Sequence, residues 1–311
     1  MLRVVNTRTQ FPIIAMGGIM QATNTADETA VRRRLHGMWA SVAPAWGEYA
    51  EYADARGEAL TERMFELVAP APGERVLELA CGAGGLGLAA AERVAPGGEV
   101  VLSDVVAEMT AIASARAEAL GLANVSARPL DLEHIEEPDA CYDIVLCREG
   151  LMFAVDPARA TREIGRVLRP GGRFAIAVWG PREENPWLAL VLDAASAHLG
   201  MPIPPPGMPG PFSLEDADRL AALLSDAGLE DVAIEEFPAP ARAGSPDEWW
   251  TRTCALAGPL ANILASLPEE SARELRSRAQ GAAERYQTAD GLEFPGLTLV
   301  ATGHAYDHAL A

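Results

Sequence analysis

Lysine is absent from the 311-residue chain: all 25 basic residues are arginines, set against 44 acids for a formal net charge of −19. Phosphate binding needs a basic footprint, so this balance argues against a nucleic-acid partner. The one arginine run, Arg32-Arg33-Arg34, is short and reads as the polar face of a helix. With the abundance of Ala, Arg, Gly and Pro, the missing lysine points to a GC-rich coding sequence. Cysteine is scarce as well. Cys81, Cys141, Cys147 and Cys254 show no C-x-x-C spacing, and Cys141 and Cys147 fall on one face of one predicted strand. Buried thiols in a reducing cytoplasm are expected, with no disulfide and no metal site. No apolar run reaches the ~20 residues that cross a bilayer, so membrane insertion is not expected. Phe11–Met20, preceded by Arg3 and Arg8, faintly suggests a signal peptide but lacks a cleavage site. Met20 is the expected native start, with the residues before it a loosely held extension. The 49% hydrophobic fraction and the length suffice for one large or two modest domains.

What the chain does have is glycine at one informative place. Val76–Gly87 reads Val-Leu-Glu-Leu-Ala-Cys-Gly-Ala-Gly-Gly-Leu-Gly: an apolar run suited to a buried parallel strand, a glycine turn, then an alanine-rich helical stretch, Leu86–Val94. Glycine lets the backbone approach a ligand, and a helix N-terminus offers unpaired N–H groups. Beyond it, Val100-Val101-Leu102-Ser103 ends in Asp104, an acid placed to accept ribose hydroxyls. This is the pattern of a nucleotide-type pocket. Gly82, Gly84 and Gly87 literally match G-x-G-x-x-G, which keeps an NAD(P)-dependent reductase open as an alternative. Glu78 favours a cationic ligand over a pyrophosphate, and the motif starts some seventy residues into the chain rather than at its opening.

Glu78-Leu-Ala-Cys-Gly82-Ala-Gly84 resembles the first motif, acid-x-Gly-x-Gly-x-Gly, of class I S-adenosylmethionine-dependent methyltransferases, with Ala80 in place of the first glycine. The resemblance continues in order across Glu74–Gly180. Asp104 matches the ribose-binding acid and Leu130-Asp131-Leu132 the acid at adenine. Tyr142–Leu146 matches the fourth strand and Leu168–Phe174 the turn before the fifth. It implies an α/β fold: a Rossmann-like, seven-stranded, mostly parallel sheet with its last strand antiparallel. Helices cover both faces, with an N-terminal helical lid and helical insertions near the C-terminus. It implies S-adenosyl-L-methionine as cofactor, with Glu78, Ala80, Gly82 and Gly84 at the amino-acid end and Asp104 on the ribose. Val105 and Met109 would line the adenine pocket, Asp131 would accept from the exocyclic amine, and Leu132 would donate its N–H to the ring. A helix cap is the alternative for Asp131. The layout is similar to the small-molecule group containing quinone-biosynthesis and natural-product methyltransferases. A catalytically silent protein that keeps the cofactor fold is the second alternative.

The reaction so implied is an in-line displacement onto a small, apolar or aromatic acceptor, in which alignment contributes ~7–11 kcal/mol. Arg148, at the tip of the fourth strand, would bind the methionine carboxylate or an acidic acceptor; pairing with Glu149 is the alternative. His36, on the lid, is the candidate base, a solvated helical histidine being the alternative. His134, His198, His304 and His308 carry weaker signals. Trp39, Trp46, Tyr49, Phe153, Trp179, Trp187, Trp249 and Trp250 are expected outside the sheet and suit an aromatic acceptor or an ordinary core.

Four segments are expected: an extension at 1–24, a helical lid at 25–72, the cofactor-binding core at 73–180, and cap insertions with the last two strands at 181–311. Thr25-Ala-Asp-Glu28 reads as a capping box opening the lid, and Gly37 and Pro44 as breaks that divide its stripe into two short helices. Alternating strands and helices through the core imply parallel pairing. Pro170-Gly171-Gly172 reads as a firm stop. Met201–Phe212, thick with proline and glycine, is expected at the pocket mouth. The oligomeric state is open, a homodimer included.

Overall fold

The computed structural model describes residues 14–306. Two helices, α1 (Ile14–Glu48) and α2 (Ala50–Val68), precede an alternating core: β1 (Arg75–Glu78), α3 (Gly85–Val94), β2 (Glu99–Asp104), α4 (Ala107–Ala119), β3 (Val125–Pro129), β4 (Tyr142–Arg148), α5 (Pro157–Val167) and β5 (Leu168–Trp179). Then come α6 (Pro186–Leu199), α7 (Ala217–Asp226), β6 (Leu229–Pro238), β7 (Ala241–Ala243), α8 (Pro246–Leu256), α9 (Gly258–Ser266), α10 (Glu269–Ala283), β8 (Gln287–Thr288), β9 (Gly291–Phe294) and β10 (Leu297–Ala305). The main sheet has the order β3-β2-β1-β4-β5-β10-β6. Strands β1 to β5 pair in parallel, and β10 runs antiparallel to both β5 and β6. This is the expected α/β architecture. The order reverses between β1 and β4, so the crevice for a ligand opens at the carboxyl ends of those strands.

Strand alternation divides the core into two layers. Val76, Ile144, Leu146, Ala175 and Val300 pack under α2, α3 and α4, while Leu77, Val145, Phe174, Ile176 and Leu299 pack under α5 and α7. The period of two sends neighbouring residues to opposite faces, and both faces are apolar because both are covered. A third cluster lies in the cap. There Leu188, Val191 and Leu192 of α6 meet Trp249 and Trp250 of α8 and Phe294 of β9.

Several sequence expectations change. Residues 14–24, read as an extension without a period, form the start of α1; residues 1–13 lie outside the described residues. Thr25 therefore lies inside a helix rather than capping one, and Met20 is likewise helical. Neither Gly37 nor Pro44 breaks α1. Proline removes one backbone bond at a cost of ~3 kcal/mol or more, but Met38, Val42 and Ala43 are buried around it, and tertiary packing outweighs the loss. The break falls at Tyr49, and even there the bonds Tyr49 N–H to Ala45 O (2.8 Å) and Ala53 N–H to Tyr49 O (2.9 Å) carry across. Pro170-Gly171-Gly172 is no stop: β5 runs through it as an irregularity, the register stepping from Tyr142–Leu168 to Ile144–Arg173. The small antiparallel sheet β7-β9-β8 and the helix α9 had no clear sequence signal.

Candidate active site

Glu78 ends β1 and is 3% exposed. One oxygen accepts the Gly87 N–H of α3 at 2.8 Å, which satisfies a helix N-terminal donor. A Cβ on Gly87 would overlap Leu102 and sit 2.5 Å from that same oxygen, so this glycine lets the helix reach the acid. Burial pushes the Glu78 carboxyl up to about 8, opposed by the Arg148 guanidinium and by the Gly87 bond. Asp104 ends β2 and accepts from Gly82 N–H and Val106 N–H, both at 3.0 Å. Its carboxyl is also raised by burial, with those bonds and His36 pulling it down. Two acids thus stand at the ends of adjacent strands, held by the glycine turn between them.

The turn shows why the motif has its form. Gly82 and Gly84 have positive φ (54° and 85°), and Ala80 shares that left-handed region at 51° despite carrying a Cβ. The glycine that Ala80 replaces would sit there without strain. A Cβ on Gly82 would meet the Trp46 ring at 3.4 Å. Gly84, expected to admit a ligand, has another reason to be glycine: a Cβ there would approach Ala113 at 2.9 Å and Leu102 at 3.1 Å, so helix packing demands it. It does not line the cavity.

These residues border a cavity of about 240 Å³. Glu78, Ala80, Gly82, Asp104, Val105, Met109, Asp131, Leu132, Arg148 and His36 all line it, so ten of the eleven expected site residues come together. The ends of β1, β2 and β3 supply one half of the wall. The ends of β4 and β5 and the start of β10 supply the other, through Arg148, Glu149, Trp179 and Thr298. Trp39 and Trp46 of α1 close it from above, and Trp46 Nε1 donates to Leu256 O at 3.2 Å.

Some expected roles shift. The Arg148 guanidinium donates to Thr61 Oγ1 at 2.6 Å and to Gly57 O at 3.5 Å, and a Cβ on Gly57 would collide with it. It is held by α2 beside Glu78 rather than free for a carboxylate. It does not pair with Glu149, which Arg56 takes at 2.9 Å. Asp131 caps no helix; its Oδ1 accepts Glu133 N–H at 2.8 Å, closing a turn. Glu133, 5% exposed, binds Arg32 of α1 at 2.5 Å and Val155 N–H at 2.6 Å. His36 is exposed and stands at the Asp104 end of the cavity. His134 and His198 do not line the cavity, His304 pairs with Asp231 at 3.0 Å, and His308 lies outside the described residues. Cys81 borders the cavity, but burial pushes its thiol well up and keeps it protonated.

Of the aromatic residues singled out, Trp39, Trp46, Phe153, Trp179 and Trp187 line the cavity, whereas Tyr49, Trp249 and Trp250 do not. Trp249 is buried in the cap and donates to Trp187 O at 2.8 Å. Trp179, expected outside the sheet, is instead the last residue of β5, paired with Thr298 of β10, and it meets Trp187 edge to face at 5.2 Å. Of the proline-rich stretch only Pro211 reaches the cavity, and Phe212 packs on Trp179. Tyr52, Arg56, Asn185 and Arg252 were not legible as lining residues. Asn185 is fully engaged, its side chain bonding the end of β5 to Leu297 of β10. Among the described residues no cluster of His, Cys, Asp or Glu could hold a metal ion.

The antiparallel β10 and the buried Glu78 beside a glycine turn define a methyltransferase of the S-adenosylmethionine-dependent class. The carboxylate at the end of β1, the ribose-type acid at the end of β2 and the cavity between them fit that cofactor. Residues 70–197 match the family model described as Methyltransferase domain. The chain is 34% identical over 190 residues to the ubiquinone/menaquinone biosynthesis C-methyltransferase UbiE of Ectopseudomonas mendocina strain ymp, covering 56% of this chain and 72% of that one. It is 38% identical over 118 residues to nocamycin O-methyltransferase of Saccharothrix syringae, covering 38% and 42% respectively. The fold is similar to that of the YcgJ protein from Bacillus subtilis (TM-score 0.55, 21% identity, 79% of this chain and 98% of that one). The chain belongs to the class I S-adenosylmethionine-dependent methyltransferases and is an enzyme that uses that cofactor. The NAD(P)-dependent reductase and the catalytically silent protein are thereby set aside: a reductase sheet would have a parallel sixth strand in the place of β10.

Proposed function

We propose that the cavity's two halves divide the reaction between them. Glu78 takes the amino-acid end of the cofactor, across a turn in which Ala80 and Gly82 permit close approach. Asp104 takes the ribose hydroxyls. Val105 and Met109 flank the adenine, and Asp131 and Leu132 bind its edge. Arg148 acts mainly on Glu78, favouring its ionised form, and His36 is better placed for the ribose end than for a base. S-adenosylmethionine supplies, when bound, a methyl group already activated on a sulfonium. Within residues 25–72, α1 and the first half of α2 serve as the lid, in which Trp46 covers the glycine turn and Arg32 fastens α1 to Glu133; residues 73–180 form the cofactor core, and 181–311 supply the cap insertions and the last two strands of the sheet. The other half holds a small apolar or aromatic acceptor, against the Trp179–Trp187 pair.

The observation that carries this reading is the division of one cavity wall: acids at the ends of β1 and β2 and just after β3, indole rings toward β5 and α6. The relatives support it, being named for ubiquinone/menaquinone biosynthesis and for nocamycin. The expected setting is cytoplasmic, without membrane insertion and without nucleic acid. Labelled S-adenosylmethionine incubated with phenols, quinols and aliphatic amines tests the acceptor class. Label transfer confined to the aliphatic amines overturns it. Asp104→Ala is expected to weaken S-adenosylhomocysteine binding tenfold or more by calorimetry, a charge-assisted bond contributing ~1.5–3 kcal/mol; unchanged affinity removes Asp104 from the site.

A further inference from the structure

Charge is unevenly distributed around the acceptor half of the cavity. Arg56 is cancelled by Glu149, and Arg148 is engaged by Thr61 and by the field of Glu78. Arg252 is different. It stands on α8 in the cap, beyond the residues that match the family model, and it lines the cavity. Its side chain is 16% exposed and its ion partner Glu248, at 2.6 Å, is 44% exposed. The guanidinium carbon lies 4.0 Å over the ring of Tyr52, another lining residue. Its Nε is buried with no acceptor.

A guanidinium has five N–H donors in a planar fork, and buried donors are ordinarily satisfied. Here one face is stacked on an aromatic ring and Glu248 is the one charged partner among the described residues. The group therefore has more donors than acceptors, at the wall of a cavity with aromatic sides. An anionic oxygen on an aromatic molecule matches both features: the ring meets Tyr52 and the Trp179–Trp187 pair, and the oxygen meets the fork.

We propose that Arg252 is a specificity-determining residue that selects an acidic aromatic acceptor by binding its anionic oxygen. This deepens the acceptor reading above and rests on it. Carboxylate and phenolate share the required chemistry, and the test separates them.

Protein saturated with S-adenosylhomocysteine is titrated by calorimetry with a hydroxynaphthoate, with its neutral methyl ester, and with a nitronaphthol that ionises without a carboxylate. At least one anion is expected to bind about tenfold or more tightly than the ester, as a charge-assisted hydrogen bond requires. Which anion does so names the oxygen. In Arg252→Met that preference is expected to fall below about threefold while ester and S-adenosylhomocysteine affinities stay put. Arg252→Lys keeps the charge without the fork and is expected to retain part of the preference, which a merely structural role for Arg252 would not produce. Equal binding of ester and both anions by the native protein overturns the proposal, as does a preference that survives in Arg252→Met. Failure of S-adenosylhomocysteine to bind at all would overturn the cofactor reading beneath it, a separate and visible result.

Discussion

Glu78 and Ala80 are two residues apart in one turn, and each carries a cost that the fold sustains. The Glu78 carboxyl, buried and pushed up to about 8, holds its proton in the cofactor-free native state over a range where the unfolded chain has lost it. The native state thus binds more protons between about pH 4.5 and 8, and stability falls as pH rises through that window. At about 1.36 kcal/mol per unit the full effect is a few kcal/mol above pH 8. Glu78→Gln is expected to flatten this dependence and to raise the melting temperature of cofactor-free protein at pH 8 relative to the native chain, while weakening cofactor binding. Parallel pH profiles of the two melting curves would contradict it. Ala80 sits at φ 51°, where an L-residue pays roughly 1–2 kcal/mol, partly offset because glycine loosens the unfolded chain by ~0.4–1 kcal/mol. Ala80→Gly is therefore expected to be neutral or stabilising by up to about 1.6 kcal/mol in urea unfolding, against the usual penalty for this change. A loss of that size would show that the turn is not strained.

At the scale of elements, α1 is held to the body of the enzyme at both ends of its cavity face. Arg32 binds Glu133 near one end, and Trp46 donates to Leu256 O near the other. Glu133 also accepts Val155 N–H, so its removal leaves that donor without its acceptor and Arg32 with Glu28 as its remaining ion partner. Glu133→Ala is expected to cost about 1–3 kcal/mol in denaturant unfolding and to speed release of S-adenosylhomocysteine in stopped flow, since α1 would lose its ion pair to the segment after β3. A stable variant with unchanged release would mean that α1 does not gate the cavity. α2 has a different part: its Leu60, Met64, Phe65 and Val68 are buried against the sheet, so its second half belongs to the core even though Tyr52, Arg56 and Gly57 face the cavity.

For the molecule as a whole, the cavity lies where sheet, α1, α2 and cap meet, and a ligand there ties all of them together. Anything that binds only the native state stabilises it by mass action, about 2.7 kcal/mol at one hundred times its dissociation constant. S-adenosylhomocysteine is expected to raise the melting temperature accordingly, with NADH producing no shift; the reverse result would contradict the class assignment. The antiparallel β10 decides between these ligands at this scale, because it sets the sheet apart from that of dinucleotide-dependent enzymes.

The sequence by itself located the acids and the glycine turn of the proposed cofactor half. Strand ends, glycine turn and acids lie within one run of alternating elements, Arg75 to Asp131, where local pattern and pocket coincide. Local cap chemistry also bounds α5 and α8, where the Asp156 and Ser245 side chains accept the Arg159 and Glu248 N–H groups. What only the tertiary structure decided was everything contributed from a distance. Arg148 reads as a free cation until α2, some ninety residues earlier, supplies Thr61 and Gly57 to hold it. Gly84 reads as a ligand cradle until α4 closes on it. Tyr52 and Arg252 become neighbours across two hundred residues. Periodicity reports which face of an element is buried, but the identity of what covers that face is fixed by packing between elements: Trp179 and Trp187 could be singled out from sequence, whereas Tyr52 and Arg252 join the same wall only through such encounters.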